Sequence, residues 1–93
     1  MRIEHKQSFK KALRKYNKYQ QEDIFTSIQT LSNSIEKFQM PKGLGLKLLI
    51  SKSKIWEARV SIDIRVLFRY ESDLLEIAFV GNHDQIKRYL KAL

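Results

Sequence analysis

The chain has 93 residues, with 18 Lys and Arg against 10 Asp and Glu, a formal net charge of +8, and no cysteine. That length holds one small domain, expected to span 1–93, and the missing thiols exclude a disulfide framework and a thiolate zinc site. The positive field favours nucleic acid, anionic lipid or an acidic protein as partner, while the apolar run near the middle, Leu48-Leu49-Ile50, is far too short to cross a membrane.

In chain order, Met1 to His5 alternates polar and apolar residues and reads as a short strand. Phe9, Ala12, Leu13 and Tyr16 then recur at helical spacing among Lys10, Lys11, Arg14, Lys15 and Lys18, with Ser8 as the expected cap and Asn17 near the end. The apolar face of this helix is narrow and suits docking on a core better than lying on a membrane. A second helix is expected from Ile24, Phe25, Ile28, Leu31, Ile35 and Phe38, with Gln20 to Asp23 as a polar, acidic first turn. Met40-Pro41-Lys42-Gly43-Leu44-Gly45 stops it. Beyond the connector the period changes to that of strands. Leu44, Leu46 and Leu48 alternate, Ser51 to Lys54 make a polar turn, and Ile55–Val60, Ile64–Tyr70 and Leu74–Val80 form an antiparallel meander. A last helix carries Ile86, Tyr89, Leu90 and Leu93 on its apolar face. The expected fold is α+β: two N-terminal helices packed on a small antiparallel sheet, closed by a C-terminal helix.

With Ser61-Ile62-Asp63 as a hairpin loop, Arg59 falls opposite Arg65, Ala58 opposite Val66 and Trp56 opposite Phe68. One face then carries Trp56, Ala58, Val60, Ile64, Val66, Phe68 and Tyr70, suited to the helices. The other carries Glu57, Arg59, Arg65, Leu67 and Arg69. Like charges directly opposite one another are unfavourable, so the two arginines need either Glu57 or an external anion beside them. Guanidinium forks match phosphate oxygens, which makes a phosphate site the functional alternative to a neutralised, solvated face. Val80-Gly81-Asn82-His83 places one of the two histidines just past a strand end, at the mouth of the last helix. Histidine is the side chain that most readily gives or takes a proton near neutral pH, which suits acid or base work.

The hairpin Trp56-Glu57-Ala58-Arg59-Val60-Ser61-Ile62-Asp63-Ile64-Arg65-Val66-Leu67-Phe68 and the segment from Val80 through His83 to Tyr89 resemble the RelE/ParE superfamily of toxin–antitoxin toxins, in particular its RelE/YoeB/YafQ-like ribonucleases. The order of elements agrees along the whole chain. The resemblance implies a metal-independent, cofactor-free endoribonuclease of the cytoplasm that cuts messenger RNA on the ribosome, inhibits translation, and is neutralised by a cognate antitoxin protein. In such a reaction the 2′-hydroxyl attacks the adjacent phosphorus, leaving a cyclic phosphate and a free 5′-hydroxyl. It further implies that Arg65 contacts the scissile phosphate, that His83 fills the histidine-or-arginine position two residues after Gly81, and that Tyr89 matches a catalytic or base-stacking tyrosine. Arg59, Lys47, Lys52 and Lys54 are expected to hold RNA phosphates, with Glu57 as base or arginine partner. The chain departs from the family where RelE-branch toxins carry lysines, here Trp56, Glu57 and Ala58, and where the YoeB branch carries its glutamate base, here Leu46, Lys47 and Leu48. The general base is therefore not fixed by a motif. Two other readings share the fold: a ParE-like gyrase poison acting by protein binding, and an inactive RelE-like binding protein.

Overall fold

The computed structural model describes residues 1–37 and 45–93. Phe38, expected as the last apolar position of the second helix, and the connector residues Met40 to Leu44 lie outside the described residues. The elements run β1 (Arg2–His5), α1 (Gln7–Leu13), α2 (Lys18–Glu36), β2 (Lys47–Ile50), β3 (Ile55–Arg59), β4 (Arg65–Glu71), β5 (Leu74–Gly81) and α3 (His83–Lys91). The five strands form one sheet in the order β1-β5-β4-β3-β2, with β1 parallel to β5 and the rest antiparallel. The α+β architecture is the expected one.

The β3–β4 register also matches the expectation: Trp56 faces Phe68, Ala58 faces Val66 and Arg59 faces Arg65. A strand with one buried face fixes its own register, because a one-residue slip would expose the whole apolar set. On that face Phe9 of α1 and Ile24, Ile28 and Leu31 of α2 pack on Ala58, Val66, Phe68, Leu75, Ile77 and Val80. Each fully buried aliphatic or aromatic side chain contributes roughly 1.5–3 kcal/mol, so this layer dominates stability.

The opposite face is not left to solvent. Leu67 is fully buried there with Ile55 and Ala78 beneath Ile86 of α3. The meander alone does not reveal this cover, because it depends on where the last helix returns. A register shift in β5 assists: Leu67 pairs with Phe79 but Phe68 with Ile77, so Ala78 is an extra residue and breaks the two-residue alternation.

Two helix starts differ from the sequence reading. Ser8 lies inside α1, whose N-cap is Lys6 with no side-chain cap bond. The Ser8 hydroxyl instead donates to the carbonyl of Ala78 at 2.6 Å, just beyond the last β1–β5 pair, and the Lys6 amide donates to Ile77 O at 2.9 Å. The edge of β5 that β1 leaves unpaired is thus tied to the start of α1. Helix α2 begins at Lys18, earlier than expected, because Asn17 and Gln20 form a reciprocal capping box. The acidic pair Glu22 and Asp23 therefore falls past the first turn. α1 ends at Leu13, and Tyr16 reaches the core from the turn that follows.

Candidate functional site

The end of the sheet next to α3 gathers most of the charged residues singled out by sequence. Arg59 on β3, Arg65 on β4 and Gly81 on β5 lie side by side in register. His83 follows two residues later as the first residue of α3, exposed to solvent. Directly opposed residues on one sheet face stand about 4.5–5.5 Å apart, so Arg59 and Arg65 are near neighbours, and His83 begins α3 at the same end of the sheet. One step further from the sheet end, Lys47 pairs with Glu57 and Glu57 with Leu67.

The repulsion between the two arginines is answered from within. Glu57 is only 6% exposed, and its Oε1 accepts a hydrogen bond from Nη1 of Arg65 at 3.0 Å. A buried carboxylate needs such a partner, and a guanidinium offers five donors, so this bond orients Arg65 without exhausting it. Arg59 is exposed, and among the described residues no carboxylate stands within ion-pair distance of it. Gly45 passes close by: a Cβ added there would lie 3.7 Å from Cβ, Nε and Cζ of Arg59. Gly45 has φ +50°, a backbone region that side chains other than glycine adopt at a cost.

The orientation of His83 is set by the cap beneath it. Asn82 and Gln85 form a second reciprocal capping box, with bonds of 2.8 and 2.9 Å. Gly81 permits this close turn. A Cβ there would meet Gln85 Cβ at 2.9 Å and the Phe79 ring at 3.0 Å, so the strand can hand over to the helix only with no side chain at that point.

Tyr89 goes elsewhere. Six residues along a helix is about 9 Å of rise and roughly 240° of rotation, so Tyr89 and His83 leave α3 on different sides. The Tyr89 ring stacks on Phe79 with centroids 4.5 Å apart and planes 4° from parallel. Its hydroxyl lies 3.4 Å from Ser8 Oγ. It lines an open groove of about 690 Å³ between α1 and α3, rimmed by Lys11, Lys15 and Arg88 and bordered by Asn82 and Gln85. Tyr16 lines the same groove, and burial pushes its hydroxyl pKa up. The sequence displays Lys11 and Lys15 as a basic stripe, but their meeting with Arg88 depends on the packing of α1 against β5.

Lys52 and Lys54 lie in the turn between β2 and β3, at the other end of the sheet. Lys54 and Arg59 are five residue steps apart along extended chain, about 16 Å. Lys54, with φ 54°, borders a smaller cleft of about 250 Å³ with Arg69, Glu71 and Glu76. The structure thus brings Arg59, Arg65, Glu57, Lys47 and His83 to one end, sets Tyr89 in the neighbouring groove, and separates Lys52 and Lys54 from both.

No protein-family model and no curated protein matches the chain by sequence. Solved structures do match by shape. YafQ from E. coli superposes with a TM-score of 0.68 at 19% identity, over 92% of this chain and 98% of that one. A copper-bound mutant toxin from Helicobacter pylori gives 0.69 at 16% identity, with the same coverage of 92% and 98%. RelE in the RelB–RelE antitoxin–toxin complex from Methanococcus jannaschii gives 0.69 at 14% identity, over 92% and 96%. The fold of this chain is therefore the one shared by the YafQ and RelE toxin structures.

Proposed function

We propose that this chain is the toxin of a toxin–antitoxin pair, an endoribonuclease that cuts messenger RNA on the ribosome, and that Arg59, Arg65 and His83 are its working residues. The single observation that carries the reading is the row Arg59–Arg65–Gly81 across three strands, with His83 exposed at the start of the following helix. Attack of a 2′-hydroxyl on the adjacent phosphorus forms one P–O bond and breaks the bond to the 5′-oxygen. One proton leaves the attacking hydroxyl and one reaches the departing oxygen. The phosphorus centre gains negative charge in between, and oriented cations that face it lower the barrier. Arg65, aimed by Glu57, and Arg59 supply that charge, and His83 performs one of the two proton transfers.

Buried and bonded to Arg65, Glu57 serves as the arginine's partner and not as the base. Lys47, exposed and opposite Glu57, extends the positive field along the RNA backbone. A toxin role is supported by the shared fold, and an antitoxin partner by structures in which YafQ stands with DinJ and RelE with RelB. The net charge of +8 suits both RNA and an acidic protein partner.

The test is induction of the chain in growing cells with mapping of message ends. The reading expects cuts in translated message, cyclic phosphate on one side and 5′-hydroxyl on the other. Intact message accompanied by DNA breaks would replace it with gyrase poisoning. Normal growth on expression without any antitoxin would replace it with an inactive binding protein.

A further inference from the structure

The groove between α1 and α3 has an unusual balance of hydrogen-bonding groups. Both capping boxes found among the described residues contribute side chains to it. Gln20 and Gln85 each use the side-chain oxygen to accept from the backbone amide of the N-cap residue, and the side-chain oxygen of Asn82 accepts in turn from the backbone amide of Gln85. The oxygens are therefore occupied, while among the described residues the three NH₂ groups have no partner. Lys11, Lys15 and Arg88 add three cations to the rim, and Asp63 is the one carboxylate among the lining residues. The groove is rich in donors and poor in acceptors. Its floor, by contrast, is apolar: Ala12, Ile64, Val80 and the Phe79–Tyr89 stack.

We propose that this groove is a nucleotide subsite that holds the RNA strand beside the cut, with a base on the apolar floor and phosphate and base oxygens on the donor rim. The inference rests on the ribonuclease reading for its choice of ligand. Asn82 borders the groove and immediately precedes His83, so a strand lying across the arginine row continues into it without a break. An apolar floor that includes two aromatic rings, within a cationic rim, suits a nucleotide better than an acidic peptide, which would leave that floor uncovered. A volume of about 690 Å³ accommodates a nucleotide with its flanking phosphates.

The probe is a fluorescent single-stranded RNA carrying 2′-O-methyl groups throughout, which removes the attacking hydroxyl, followed by anisotropy across a salt series. The sharpest variant is Gln20→Glu. It keeps the oxygen that caps Asn17, so helix α2 remains capped, but it exchanges the NH₂ donor for an acceptor. Gln20→Glu is expected to weaken RNA binding roughly tenfold with an unchanged melting temperature, whereas Gln29→Glu, the same charge change on the exposed side of α2, has a much smaller effect. Lys11→Ala/Lys15→Ala is expected to lower the salt slope by about 0.7 for each phosphate contact removed. An abasic nucleotide at the groove position should weaken binding at least roughly fivefold.

Wild-type affinity and slope in Gln20→Glu and Lys11→Ala/Lys15→Ala would overturn the subsite and leave the catalytic reading standing. If those variants lost binding to a polyglutamate peptide but not to RNA, the groove would be a protein site and the proposal would fail. The two readings separate through His83→Ala. Should that variant cleave normally while the groove variants lose RNA, the catalytic assignment falls and the groove remains.

Discussion

Removing Arg65 should injure the fold as well as any activity, and the amount can be worked from the Glu57 pair. At 3.0 Å, and with an effective dielectric of about 20, the gross attraction is about 5.5 kcal/mol. Much of this offsets the cost of taking a carboxylate that is 6% exposed out of water. Arg65→Ala leaves that carboxylate buried with no partner. The side chain of Arg65 keeps 26% exposure, so the low end of the range for broken buried pairs applies, about 3 kcal/mol. For a domain of this size that is a fall in Tm of about 12–24 °C. The double variant Glu57→Leu/Arg65→Leu removes both charges and should recover most of the loss. Thermal and urea unfolding of wild type, both single variants and the double variant measure the cycle. Arg65→Ala within about 0.5 kcal/mol of wild type, or a double variant as unstable as the two singles added, would refute the claim that this pair is buried and coupled.

Other consequences follow from the sheet end and the N-terminal strand. Gly81→Ala places a methyl group 2.9 Å from Gln85 Cβ, and should destabilise by about 1–3 kcal/mol while shifting the start of α3, read by unfolding and by loss of cleavage together. Asn82→Ala breaks the capping box beneath His83 and should cost about 1 kcal/mol, whereas Asn82→Ser should retain most of it. His5 stacks on Phe9 at 5.2 Å and meets Phe25 edge-on. Burial first, and Lys10 second, hold its pKa below the ordinary 6.5. As pH falls the unfolded chain takes up that proton before the folded one. This contribution is therefore complete above about pH 6.5 and shrinks as pH drops from there towards the lower folded value. Tm measured between about pH 5 and 7.5 should lose part of its slope in His5→Phe. An unchanged slope would remove His5 from the account.

How much of this is legible in the sequence depends on the range of the interaction. The hairpin register could be read because a three-residue loop and a two-residue alternation are local, and Arg59 opposite Arg65 follows directly. The pairing of Arg65 with Glu57 was one of two alternatives, since charge repulsion demands an anion without saying which. Three features escaped for non-local reasons. Leu67 is buried because α3 returns over the sheet, Ser8 bonds to Ala78 because β1 stops short of the end of β5, and the extra residue at Ala78 interrupts an alternation that the residues themselves display. The family resemblance groups Tyr89 with His83, yet the helical rotation sends the two side chains to different surfaces. Lys52 and Lys54 share with Lys47 the expected role of phosphate contact, but the turn after β2 carries them to the far end of the sheet.

The central claim is that Arg59 and His83 act on a phosphate at one end of the sheet, and ribosome-dependent message cleavage by His83→Ala and Arg59→Ala tests it most directly. Both side chains are exposed, so folding should be untouched, and melting temperatures equal to wild type would establish that. With that control in place, cleavage should fall roughly 10²–10⁴-fold in His83→Ala and about 10²-fold in Arg59→Ala. Equal cleavage by wild type and both variants would contradict the assignment.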